Sequence, residues 1–227
     1  MIFIHFSFDD HTIIKGKMNE NHEWLLFLNY TIDNASVNLK FSSVSESWKG
    51  KVLDMWLWAV LIPNSIVTGT ITLNNQTTQV KGYGYVEHVW DATVPTVWGW
   101  YWGKFVGTNY SVIWSQIYKN PLERYVVMVL NELNGSYYNI PYQDISIRLK
   151  DFIFYDGWLI PSAFEFSVDN NDIHLSLTAT AKNIIHQTSI ATFNYWRYHI
   201  HITGSITYKG NIEHIDNMQI MDLTRFY

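Results

Sequence analysis

The sequence predicts an all-β protein built of antiparallel, barrel-like sheets. Runs of about four to ten residues rich in Val, Ile, Thr, Tyr, Phe and Trp recur along the chain, and Asn, Gly, Asp and Pro separate them. Nowhere do apolar residues recur convincingly at helical spacing, so any helix is short. Strands are expected at residues 24–31, 37–44, 52–61, 66–73, 78–89, 97–106 and 110–118. They continue at 124–130, 145–149, 152–155, 163–168, 173–181, 192–202, 205–208 and 219–223. Turns are marked by Asn134-Gly135, Asp169-Asn170-Asn171 and Lys209-Gly210-Asn211, residues that accept the backbone angles of tight reversals. About fifteen strands exceed one eight-stranded barrel, so the chain forms either two barrel-like sheets or one large sandwich. No Pro- or Ser-rich linker intervenes, and the nearest thing to a boundary is 91–95, giving an N-terminal lobe at 1–91 and a C-terminal lobe at 92–227.

Composition removes several function classes. Of 227 residues, 48% are hydrophobic and 15% charged, which excludes a disordered chain. The formal charge is -5 and no basic run is present, so nucleic acid is not an expected partner. The absence of cysteine removes disulfides, thiol nucleophiles, cysteine zinc sites and iron–sulfur clusters. There is no G-x-S-x-G elbow, P-loop or dinucleotide glycine fingerprint. The first twenty residues lack a basic start and reach Asp9 and Asp10 before any long apolar run. No stretch approaches the roughly 18 apolar residues of a membrane span, so a cytoplasmic location is expected. Asn29, Asn34, Asn75, Asn109 and Asn134 begin Asn-x-Ser/Thr triplets, which reflect either the abundance of Asn or, on a secreted chain, glycosylation.

Aromatic residues make up 17% of the chain, with 11 Trp and 15 Tyr. On a strand, Trp98, Trp100 and Trp102 share one face while Gly99, Tyr101 and Gly103 share the other. Trp56 and Trp58 form a second same-face pair. These indoles either fill a core or line a pocket for a flat, apolar ligand. In GYGYVEHVWD, residues 82–91, Tyr83, Tyr85, Glu87 and Val89 point one way and Gly84, Val86, His88 and Trp90 the other. A carboxylate and an imidazole thus interrupt an aromatic strand, as acid–base groups or as satisfied strand residues. Arg197, between Trp196 and Tyr198, is either an exposed strand residue or a clamp for an anion or carbonyl. His199 and His201 share a face, a spacing too unspecific to assign a metal, and none is assigned.

The order W-x-W-x-x-x-x-P at 56–63, V-x-G-x-I at 67–71, V-x-G-x-G-Y-x-E-H-x-W at 80–90 and W-G-W-x-W-G at 98–103 resembles the carotenoid 1,2-hydratase family. It also resembles that family's wider lipocalin-like superfamily of hydratases and cyclases. The resemblance covers roughly residues 52–130 and, more weakly, 200–227. It implies two lipocalin-like β-barrel lobes sharing a pocket, no metal or redox cofactor, and an apolar isoprenoid- or polyketide-like substrate. By position in the motif, Tyr85, Glu87, His88 and Trp90 match the family's acting residues. Downstream, where the family carries a Tyr-x-Asp pair, Tyr110 to Gln116 contains no aspartate. The expected catalytic set is Glu87, His88 and Tyr85. The expected ligand wall is Trp56, Trp58, Trp90, Trp98, Trp100, Trp102 and Trp114, with Arg197. The expected function is hydration, isomerisation or cyclisation of an apolar molecule without a cofactor. The alternative is a carrier with the same pocket and no chemistry.

Overall fold

A computed structural model describes residues 2–8, 11–20, 23–52, 56–90, 97–133, 135–189 and 193–226. The boundary expected between 91 and 92, together with Asp9, Asp10 and Asn134, lies outside them. Among the described residues the chain is antiparallel β-structure apart from its turns, loops and one 3-10 turn at Tyr142–Asp144. It divides into two compact units, Met1–Ala92 with Asn131–Tyr137, and Thr93–Leu130 with Tyr138–Tyr227. Each holds one curled sheet.

The first unit contains β1 (Ile2–Phe8), β2 (His11–Met18), β3 (Trp24–Ile32), β4 (Ala35–Ser43), β5 (Trp48–Val52), β6 (Trp56–Leu73) and β7 (Gln76–Trp90). The order is β1-β2-β3-β4-β6, with β5 continuing the β4 edge of β6 and β7 along its other edge. Residues 56–61 of the strand expected at 52–61 and the strand expected at 66–73 are thus one strand running through Pro63, while Val52 ends β5 and 53–55 lie outside the described residues. Proline lacks the N–H a ladder needs, and the register against β7 shifts between Val60 and Ile62 and again between Ile62 and Ser65. Trp24, Leu26 and Ile62 form a buried cluster against which Ile14, Phe41 and Val86 pack. Gly84 leaves room for Phe41, because a Cβ there would lie 2.5 Å from its ring.

The second unit contains β8 (Gly99–Val106), β9 (Tyr110–Asn120), β10 (Glu123–Glu132), β11 (Tyr137–Asn139), β12 (Ile145–Tyr155), β13 (Trp158–Asp169), β14 (Ile173–Ser189), β15 (Phe193–Tyr208) and β16 (Asn211–Phe226). The order is β11-β10-β9-β8-β16-β15-β14-β13-β12. Along β15 burial alternates strictly from Asn194 to Ile202, with Trp196, Tyr198, Ile200 and Ile202 inside. Pairing sets these residues into transverse rows. One row is Trp196, Leu223, Tyr101 and Gln116, and the next is Tyr198, Met221, Gly103 and Trp114. Phe105 and Trp114 pack on Phe166, each at 4.7 Å between ring centres, which makes an aromatic core.

Trp100 and Trp102 lie on the face of β8 opposite this core, as alternation requires. The glycines on either side of this pair, Gly99 and Gly103, serve close packing. A Cβ on Gly103 would meet the Trp114 indole at 2.9 Å, and one on Gly99 would meet the Thr224 carbonyl oxygen at 2.3 Å.

Lys104 follows Trp102 on that outer face and is buried, which pushes its ammonium down from 10.5 to about 8. The unfolded chain therefore binds more protons than the folded one between pH 8 and pH 10.5, and stability rises with pH across that window. Tyr101, pushed up to about 12 by burial, acts oppositely: its contribution is full below pH 10 and is lost as pH rises through 12. Unfolding free energies from urea titrations are expected to gain about 2 kcal/mol from pH 8 to pH 10 and to decline above it. Lys104→Met is expected to remove the rising arm and leave the decline; a rising arm that survives the substitution would refute the assignment.

Candidate functional site

In the first unit the β6–β7 hairpin builds a small polar centre inside an aromatic wall. Register pairs Val60 with Glu87, placing the carboxylate on the face that carries Trp56 and Trp58. The Trp58 indole N–H donates to Glu87 Oε2 at 2.5 Å, and the Tyr85 hydroxyl donates to the same oxygen at 2.8 Å. Trp58 is buried and meets Trp48 edge-on at 5.3 Å, and Trp56 is buried two residues along the strand. Buried indoles require an acceptor, and the half-buried Glu87 supplies one. Two donors on one oxygen fix the carboxylate's orientation.

His88 and Trp90 take the other face of β7, paired with Ala59 and Leu57. Their rings meet edge-to-face at 4.3 Å, His88 is exposed, and Trp90 retains 44% of its surface. The structure therefore brings together Trp56, Trp58, Tyr85 and Glu87 and sets His88 and Trp90 apart from them. Trp48, which sequence reasoning did not single out, joins this wall through the pairing of β5 with β6.

In the second unit Trp98 and Trp100 line a cavity of about 170 Å³ together with Tyr101, Tyr118, Leu149 and Arg225. The Arg225 guanidinium lies 5.9 Å from the centre of the Trp98 ring. Trp102 is half-buried one step further along the same outer face. Trp114 is fully buried in the aromatic core. Arg197 faces outward and forks onto Asp222, Nε to Oδ1 at 3.0 Å and Nη2 to Oδ2 at 3.1 Å, with Tyr195 5.7 Å away. Its planar donors are engaged by a nearly buried carboxylate of its own sheet. Tyr101, Tyr118 and Arg225 had no local signal: Arg225 reaches the cavity because β16 pairs with β8, setting it opposite Gly99.

By fold, the chain is lipocalin-like. Kievitone hydratase from Nectria haematococca matches it with a TM-score of 0.68 over 99% of this chain and 71% of its own, at 11% identity. CghA matches with a TM-score of 0.61 over 99% of this chain and 73% of its own, at 10% identity. The structure of CghA with Sch210972 matches at the same TM-score and 11% identity. No family model and no curated protein matches the chain. Among the described residues, no helix is long and apolar enough to cross a membrane.

Proposed function

We propose that the protein binds an apolar, isoprenoid- or polyketide-like small molecule and hydrates, isomerises or cyclises it by acid–base chemistry of its own side chains. The observation that carries this reading is the Glu87 carboxylate, held by Trp58 and Tyr85 within an indole wall. Such a group moves a proton between positions of a bound substrate, and a positioned acid or base contributes about 10²–10⁴-fold to rate. Tyr85 and Trp58 orient it. The neighbouring indole faces stabilise positive charge that develops on carbon, by about 0.5–2 kcal/mol for each well-placed ring. The naming of one structural neighbour as a hydratase supports the same reading. In the second reading the protein is a carrier: Glu87 simply satisfies two donors that aromatic packing would otherwise strand.

Mass spectrometry of organic extracts from natively purified wild type and Glu87→Gln separates the two. For a catalyst, Glu87→Gln is expected to retain an apolar compound that added wild-type protein converts to an isomer or to its water adduct. A carrier is expected to retain the same compound in both forms, unchanged by added wild type.

A further inference from the structure

The cavity of the second unit has a chemistry of its own. Its walls are apolar, from Trp98, Leu149 and Leu223, and Arg225, Tyr101 and Tyr118 bring N–H and O–H groups to it. Arg225 Nη1 donates to the Leu159 carbonyl oxygen at 3.2 Å, and Nη2 donates to the Tyr101 hydroxyl at 3.4 Å. Gln116 Nε2 donates to the Tyr118 hydroxyl. Each phenol oxygen thus already accepts an N–H, while no acceptor for either phenol proton occurs among the described residues. Burial raises both tyrosines, so both stay protonated at neutral pH. Behind Tyr118, Gln116 is fully buried and its Oε1 has no partner. A half-exposed cation and two unspent O–H groups facing an apolar slot fit an acceptor that the chain itself does not provide.

We propose that this cavity binds one six-membered ring bearing an oxyanion, with the ring between Trp98 and the two leucines and the oxygen facing Arg225, Tyr101 and Tyr118. The volume, about 170 Å³, suits a single ring, since an apolar cavity of about 150 Å³ is known to take benzene. The oxyanion gives Tyr101 and Tyr118 acceptors for their protons and gives Arg225 a counter-charge. This site stands on residues of the second unit alone and does not depend on any role of Glu87.

Benzoate is the test ligand and toluene its counterpart without oxygen, titrated into ¹⁵N-labelled protein while the Trp98 indole N–H and the Arg225 Nε–H are followed by NMR. Benzoate is expected to shift both signals saturably with a dissociation constant on the order of 1 mM, as befits a ligand of this size. Toluene is expected to bind at least tenfold more weakly. Tyr118→Phe, which keeps the ring and removes one donor, is expected to weaken benzoate about fivefold and leave toluene unchanged. Leu149→Trp, which fills the slot, is expected to abolish both. The proposal fails if benzoate produces no saturable shift at Trp98, if toluene binds as tightly as benzoate, or if Tyr118→Phe binds benzoate like wild type. Tyr118→Phe decides the matter even if Leu149→Trp does not fold.

Discussion

Replacing Glu213 with alanine is expected to lower the stability of the second unit by about 3 kcal/mol, read as a fall in the urea midpoint at unchanged slope. Glu213 lies near the start of β16 and is buried. Its carboxylate caps the turn between β8 and β9, more than 100 residues away. Oε1 accepts from the Thr108 N–H and, at 3.3 Å, from Asn109; Oε2 accepts from Asn109 at 3.1 Å and Tyr110 at 3.0 Å. Three consecutive backbone donors therefore have one acceptor group. Hydrogen bonds to a charged partner contribute about 1.5–3 kcal/mol each, and water entering the space left by alanine recovers part of the loss. Gly107 completes the arrangement, since a Cβ there would lie 2.3 Å from Oε1. Glu213→Gln is expected to cost less, about 2 kcal/mol, because one acceptor oxygen remains. A loss below about 1 kcal/mol for the alanine variant would contradict this role.

Gly204→Ala is expected to cost a further-reaching 3 kcal/mol or about that. Gly204 sits inside β15 with φ of 138°, and a Cβ would stand 2.0 Å from the Ser176 carbonyl oxygen and 2.9 Å from the Leu177 Cα. Both contacts are with the backbone of β14, which pairs with β15 here, so no side chain can turn aside to relieve them. The strand must either bend or lose local pairing, and hydrogen exchange at the amides of 175–178 and 203–206 is expected to accelerate with the fall in midpoint. Gly82→Ala serves as the comparison, because a Cβ there meets nothing within 4 Å. It is expected to change stability by less than about 0.5 kcal/mol.

These two residues show where sequence reading met its limit. Alternation and turn residues located most of the strands, and the motif resemblance pointed to the lipocalin-like fold that the solved neighbours share. Interior breakers were misread as ends. Gly204 divided 192–202 from 205–208, Pro63 divided 52–61 from 66–73, and Asp151, with φ of 50°, divided 145–149 from 152–155; each instead lies within one strand, and shifts of register accompany Pro63. The hairpin β1–β2 and the short β5 and β11 were not anticipated; β5 and β11 are brief, and such strands draw their stability from neighbours rather than from their own pattern.

At the candidate site, period-two parity sufficed to place Tyr85 and Glu87 on one face and His88 and Trp90 on the other. It could not say which face of the Trp98–Trp102 ladder meets the core. The glycine face, which reads as empty, is the one filled, by Tyr101, Phe105 and the Trp114 indole seated over Gly103. The donors around Arg225 were equally out of reach, since strands distant in sequence bring Gln116, Tyr118 and Arg225 together.

The central claim is that Glu87 moves a proton on a bound apolar substrate. It is tested most directly by turning over the compound recovered from Glu87→Gln in D₂O, with wild type and variant compared side by side. The wild type is expected to place one carbon-bound deuterium in the product. Glu87→Gln is expected to be at least 100-fold slower while binding the compound within about threefold of wild type. Turnover by Glu87→Gln at the wild-type rate, or a wild-type product free of deuterium on carbon, would contradict the claim.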